Sequence, residues 1–298
     1  MMLRLNRFFA PIVVIALLVE VMLASSAQSA DGAATAAKPI RVAALLPWVG
    51  DAVALAGPGV VGVAGVRREL HKPLPAGLID LGNPHSPSME RLAESHPDLI
   101  VGDRAIHARL KPQLEGLGAR VLLLGTDSVA ETLASLSTLS EALGRPKALE
   151  AQIATVAGQL EQLKGKTNAS VVALFGAPGS FFVMTERAWL GDLARYVGFD
   201  LAISQGGDEK FPGLVAVSDE VMAMAHPDLV LLVAHGDPSK IQADLERKTA
   251  SDGAWAGLAG TRLGIHVLDP QLFSANPGLD IVSAAKALVA LGKTGPAR

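Results

Sequence analysis

The 298-residue chain has no cysteine. This excludes a disulfide scaffold, a thiolate metal site and an iron–sulfur centre, and it removes the residue through which an envelope protein is lipid-anchored. Aromatic residues make up 4% of the chain, and Tyr196 is the single tyrosine. Neither sign of charge dominates: 26 basic residues stand against 29 acidic ones, for a formal net charge of −3. There is no basic block and no aromatic-basic ladder of the kind nucleic acid requires. Long hydrophobic runs are equally scarce, the exception being Phe8 to Leu23 near the N-terminus.

That run explains itself by its flanks. Arg4 and Arg7 precede it, and the small residues Ala24-Ser25-Ser26-Ala27-Gln28-Ser29-Ala30 follow. A positive start, a short apolar stretch and a small-residue cleavage region are the parts of a secretory signal peptide. At 16 residues, interrupted by Pro11 and Glu20, the stretch falls short of the about 20 apolar residues a membrane span needs. Residues 1–30 are therefore expected to be removed on export, with 31–39 a disordered lead-in. The mature product is expected to be soluble in the periplasm and not lipid-anchored.

The remainder is rich in Ala, Leu, Val and Gly, and short apolar strands alternate with helical stretches. Such alternation predicts βαβ units, with a parallel sheet in each half. In the first half the strands are Arg41 to Leu46, Val60 to Val63, Leu99 to Gly102 and Val121 to Leu124, with a helix from Ile106 to Leu117. In the second they are Val171 to Phe175, Leu229 to Val233 and Ile265 to Leu268, with a helix around Leu190 to Val197. Between the halves, Leu149, Ile153, Val156, Leu160 and Leu163 recur at helical spacing. A helix from Pro146 to Lys164 would be about 28 Å long, a stiff strut between two α/β lobes. The expected architecture is thus an N-terminal α/β lobe (40–144), a connecting helix (145–166) and a C-terminal α/β lobe (167–298), the lobes being Rossmann-like.

A repeat supports matched lobes. Glu90, His96 and Pro97-Asp98-Leu99-Ile100 recur as Glu220, His226 and Pro227-Asp228-Leu229-Val230, each position 130 residues on. In each copy a short helix carrying the glutamate leads through a Pro-Asp turn into a buried strand. His96 and His226 sit just before those turns, which points to a structural role for both.

The histidines form no dense metal motif, and His71, beside Lys72-Pro73, reads as a surface or capping residue. Two others stand out. His85 lies between Pro84 and Pro87, in a non-helical, stiffened loop. His235 follows the strand Leu229 to Val233 and precedes Gly236-Asp237-Pro238, at the carboxyl end of a strand, where ligand crevices of α/β sheets open. Trp48 and Trp189 lie at element ends, where an aromatic either covers a flat ligand or simply packs. Gly176-Ala177-Pro178-Gly179-Ser180 lacks the Lys-Ser/Thr of a phosphate loop and the third glycine of a dinucleotide fingerprint. Ser180 lacks a nucleophile elbow. Nothing here reads as an enzyme.

Several segments together resemble a known family. They are Leu81-Gly82-Asn83-Pro84-His85-Ser86-Pro87-Ser88-Met89-Glu90, Pro97-Asp98-Leu99-Ile100-Val101, Gly176 to Phe182, Trp189-Leu190-Gly191-Asp192-Leu193, Ala234-His235-Gly236 and Phe273-Ser274-Ala275-Asn276. They resemble the substrate-binding proteins of iron–siderophore, haem and cobalamin ABC importers, most of all the haem-receptor branch. The resemblance implies two lobes joined by a backbone helix, with a ligand cleft between them. In that branch an N-lobe methionine and a C-lobe histidine are the axial iron ligands. The methionine falls three residues after the glycine matching Gly82, where this chain departs by carrying His85; the histidine matches His235 in its His-Gly pair.

The resemblance therefore implies haem as transported ligand, with His85 and His235 on its iron; by their positions in the chain, Trp48 and Trp189 are the candidates to cover the macrocycle and Arg187 or Arg104 to meet the propionates. It implies docking of Glu90 and Glu220 on an ABC permease and its ATPase; the protein itself is expected to be a monomer. The alternatives are a ferric siderophore or cobalamin on the same scaffold, and a divalent-metal receptor or metal-dependent enzyme built on the two histidines. Tyrosinate ligation of a siderophore iron is a poor fit to a chain with Tyr196 alone, and two histidines without carboxylates make a thin bare-metal site.

Overall fold

The computed structural model describes residues 38–67, 74–206, 213–216, 218–250 and 252–293. The expected signal peptide, residues 31–37 of the lead-in, and His71 lie outside these. Among the described residues no helix is long and apolar enough to cross a membrane.

The first sheet is wholly parallel. It comprises β1 (Ile40–Ala44), β2 (Val60–Gly65), β3 (Ile79–Asp80), β6 (Leu99–Asp103) and β7 (Arg120–Leu124), in the order β3-β2-β1-β6-β7. Pro47 begins α1 (Pro47–Leu55), where its missing N–H costs nothing. Between β3 and α2 (Met89–Glu94) stands a small hairpin, β4 (Gly82–Asn83) with β5 (Ser86–Pro87). The helix expected from Ile106 to Leu117 is broken into α3 (Arg104–His107), a 3-10 turn and α4 (Lys111–Glu115). Pro112 cannot donate the backbone hydrogen bond that would carry a helix across the break.

Two longer helices follow: α5 (Val129–Ala142) and α6 (Lys147–Leu163). Leu149, Val156 and Leu160 of the expected stripe are buried, with Ile153 and Leu163 packed at the margin. At 17 residues the helix is about 25 Å long.

The second sheet is built on β8 (Ser170–Ala177), β9 (Ser180–Met184), β10 (Asp200–Leu201), β11 (Leu214–Ala216), β12 (Leu229–Ala234) and β13 (Gly264–Val267), ordered β11-β9-β8-β12-β13, with β10 paired to the start of β8. Here the structure adds to the expected parallel strands. The turn Ala177 to Ser180 is a hairpin, and β8–β9 and β9–β11 pair antiparallel. Its helices are α7 (Trp189–Val197), α8 (Asp219–Ala223), α9 (Pro238–Thr249), α10 (Pro270–Phe273) and α11 (Ile281–Lys293).

The 130-residue repeat is present in three dimensions. Ser88 and Ser218 cap α2 and α8, their side chains accepting from Arg91 N and Val221 N. His96 (φ 42°) and His226 (φ 36°) both occupy the left-handed region, uncommon for a side-chain-bearing residue. Asp98 Oδ2 accepts from Arg41 N–H at 2.9 Å and Asp228 Oδ2 from Ser170 N–H at 3.0 Å, so each aspartate ties its turn to the first strand of its own sheet.

One apolar cluster runs beneath both sheets, from Val42 and Val101 through Leu139 and Leu160 to Val171, Leu231 and Leu288. The C-terminal segment reinforces it. Asn276 Nδ2 donates to Thr126 O (2.9 Å) and Thr132 Oγ1 (2.8 Å), and Asp192 accepts from Val129 N–H at 2.7 Å. Gly278, at φ 59°, lies so close that a Cβ there would stand 2.4 Å from the Trp48 ring. Replacing it by alanine is expected to lower stability by about 3 kcal/mol, and Tm by roughly 6–12 °C. Thermal unfolding of Gly278→Ala measures this; an unchanged Tm would show that the contact relaxes freely.

Candidate functional site

Each sheet reverses its strand order once, between β1 and β6 in the first and between β8 and β12 in the second. Crevices open at the carboxyl ends of strands at such points. His235 follows β12 there, with its N–H donating to Gly176 O at 2.8 Å and its ring stacked on Phe175 at 5.4 Å and 29°. His85 sits at the tip of the β4–β5 hairpin, where Asn83 Oδ1 accepts its N–H at 2.8 Å.

The two imidazoles, 150 positions apart in the chain, meet with ring centroids 6.4 Å apart and planes at 88°. Both residues are exposed to solvent. Even so, the His85 pKa is lowered, first by partial desolvation, then by repulsion from His235 and His107, with Asp103 acting in the opposite direction. A lowered pKa keeps the ring neutral, and neutral imidazole is the form that binds metal.

Sequence reasoning missed the supports. Phe175, the shelf beneath His235, was visible only as a strand residue. His107 is completely buried; its Nδ1 accepts from Asp103 N–H at 2.9 Å and its Nε2 donates to Pro84 O at 2.7 Å. These contacts join parts of the chain that no local pattern links.

The other expected residues fall elsewhere. Trp48 is a correction: it is 1% exposed, inside the shared core and against Gly278, so it packs and does not cover a ligand. It lies in the first turn of α1, just after Pro47, among the residues that this helix buries. Trp189, half-buried, stacks on Phe273 at 6.0 Å and 20°. Arg187 is exposed, and Arg104 is paired with Glu131 at 2.6 Å. Glu90 and Glu220 are both exposed in the first turns of α2 and α8, and Ser218 helps hold the Glu220 pKa below the ordinary carboxylate value. Tyr196 donates to Glu161 at 3.3 Å, and desolvation with Glu161 raises its pKa. Among the described residues no group of three or more metal-ligating side chains of His, Cys, Asp or Glu assembles.

Two α/β halves with facing crevices, joined by a long helix, define a two-lobe ligand-binding protein. The family described as periplasmic binding protein matches residues 41–258, and the chain belongs to that family. It is 24% identical over 218 residues to YhfQ of Bacillus subtilis, provisionally named an ABC transporter substrate-binding lipoprotein, covering 70% of this chain and 67% of YhfQ. It is 23% identical over 181 residues to the high-affinity heme uptake system protein IsdE of Staphylococcus aureus, covering 59% of this chain and 61% of IsdE. The structure of S. aureus IsdE complexed with heme matches with a TM-score of 0.74 at 17% identity, over 86% of this chain and 100% of that one. The vitamin B12 binding protein BtuF of Vibrio cholerae matches with a TM-score of 0.65 at 15% identity, over 85% and 98%. These structural likenesses establish the shared fold.

Proposed function

We propose that the protein captures haem in the envelope and delivers it to an ABC permease, without chemistry on the ligand. The observation that carries this is the imidazole pair. Two axial metal–nitrogen bonds of about 2.0 Å, each extended by about 1.15 Å to the ring centre, place two centroids about 6.3 Å apart. The rings of His85 and His235 stand at 6.4 Å. A bare divalent ion held by two imidazoles would lack ligands, whereas a porphyrin supplies four nitrogens and asks the protein for two. Haem reactivity and potential then follow from axial identity and burial. The haem named for IsdE is consistent with this reading.

A ferric siderophore held by tyrosinate fits less well, because the phenol of Tyr196 is engaged by Glu161 and its ionisation is made harder. Cobalamin remains the competing cargo that BtuF exemplifies. Titrating purified protein in parallel with haem, cobalamin and a ferric siderophore tests the proposal. A Soret shift with saturation by haem is expected, and saturation by either other ligand with haem ignored would overturn it.

The pH dependence follows from the lowered pKa of His85. Protonation removes the lone pair that binds iron. Haem affinity is expected to hold down to the ordinary imidazole value of about 6.5 and to fall only below it. Haem titrations across roughly pH 5 to 8 read this directly; a fall centred above the ordinary value would place the controlling group elsewhere.

A further inference from the structure

We propose that His107 is the positioning residue for His85, a role that rests on the reading of His85 and His235 as a pair clasping one metal-centred ligand. Its place in the fold leaves it one arrangement. The residue ends α3, is 0% exposed, and uses both ring nitrogens. Nδ1 accepts from the Asp103 N–H at 2.9 Å, so the proton resides on Nε2, which donates to the Pro84 carbonyl at 2.7 Å. A carbonyl can only accept, so the two contacts together fix the tautomer.

The Pro84 carbonyl belongs to the peptide bond that leads into His85. The hairpin tip is therefore fastened on one side by Asn83 Oδ1, which accepts the His85 N–H, and on the other by His107 from beneath. Gly102 makes room for the ring: a Cβ there would stand 2.9 Å from Nδ1. Asp103 is held in turn, its Oδ2 accepting from Thr126 Oγ1 at 2.6 Å and its Oδ1 from Ile106 N–H at 3.0 Å. Thr126 O is itself an acceptor for Asn276, from the C-terminal segment. The support of His85 thus runs through packed, hydrogen-bonded groups to the other half of the chain. A ligand residue must be held within about 0.5 Å of its working position, and a hairpin tip exposed to solvent cannot hold itself so closely.

Two substitutions separate positioning from bulk structure. The Asn side chain places its oxygen where Nδ1 lies, keeping the Asp103 contact and losing the reach to Pro84. The Gln side chain carries its N–H out to where Nε2 lies. Crystal structures of ligand-free wild type, His107→Gln and His107→Asn, their melting temperatures, and absorption spectra with haem as probe form the test. His107→Gln is expected to keep His85 in place and the spectrum low-spin. His107→Asn is expected to shift His85 by more than about 0.5 Å and weaken haem binding about tenfold, with a high-spin contribution. Should His107→Asn fail to fold, Gly102→Ala displaces the same ring from the opposite side and is expected to give the same shift. If His85 stays in place in both His107→Asn and Gly102→Ala, or if Gln and Asn lose the geometry equally, the positioning role is wrong. If His85 moves as expected while wild type ignores haem, the positioning role stands and the haem reading falls.

Discussion

Haem bound to the wild-type protein is expected to be six-coordinate and low-spin, and the double variant His85→Ala/His235→Ala to lose most of its affinity. The rings come from the two crevice mouths and stand 6.4 Å apart with their planes at 88°, and each is set by its own support, Phe175 beneath His235 and the β4–β5 hairpin beneath His85. Removing one imidazole leaves five-coordinate iron, so each single variant should move the spectrum toward high spin while retaining part of the affinity. The porphyrin would then still be held by one bond and by apolar contact. Loss of both should cost at least a hundredfold in Kd, about 2.7 kcal/mol. Absorption and magnetic circular dichroism of the four proteins read the coordination number directly. A double variant with wild-type spectrum and affinity would remove both residues from the site.

The second large effect is expected on transport and not on binding. Glu90→Arg with Glu220→Arg should abolish ligand-dependent uptake while leaving Kd within a few fold. Each glutamate is exposed in the first turn of a short helix, after a serine cap, at matched points of the repeat. Two anionic knobs, one per half, suit a partner with two similar cationic sockets, where charge steers association and charge reversal repels it. Neither touches the imidazoles. Whole-cell uptake measured beside ligand titration separates the two functions; unchanged uptake would make both glutamates ordinary surface charges.

The alternation of strands and helices, the strut and the repeat were legible in the sequence because each follows from local periodicity. The left-handed His96 and His226 and the paired aspartates show why the repeat kept its spacing: cap, turn and strand tie form one unit. His85 and His235 stood out as candidates through flanking prolines, a strand end and the family motifs, while their proximity became visible only in the fold. What stayed hidden depends on distant contact. Trp48 reads as a loop residue until Gly278 closes on it, His107 reads as one histidine among several until Pro84 is seen above it, and the β9–β11 pairing has no signal until β8 folds back.

The apolar cluster beneath both sheets has a consequence for inheritance. Its members come from the first sheet, the second sheet and the helices α5, α6 and α11 between and after them. Each half has a smaller apolar cluster of its own, from Ala43 to Ala119 in the first and from Val172 to Leu258 in the second, but this larger one belongs to neither alone. A recombination that exchanged one half for that of a relative would cut through a shared set of interlocking side chains, and would succeed only if those helices travelled with it. Exposed residues at the crevice mouths lie outside that shared set, so exchanging them one at a time would leave the interlocking interior intact.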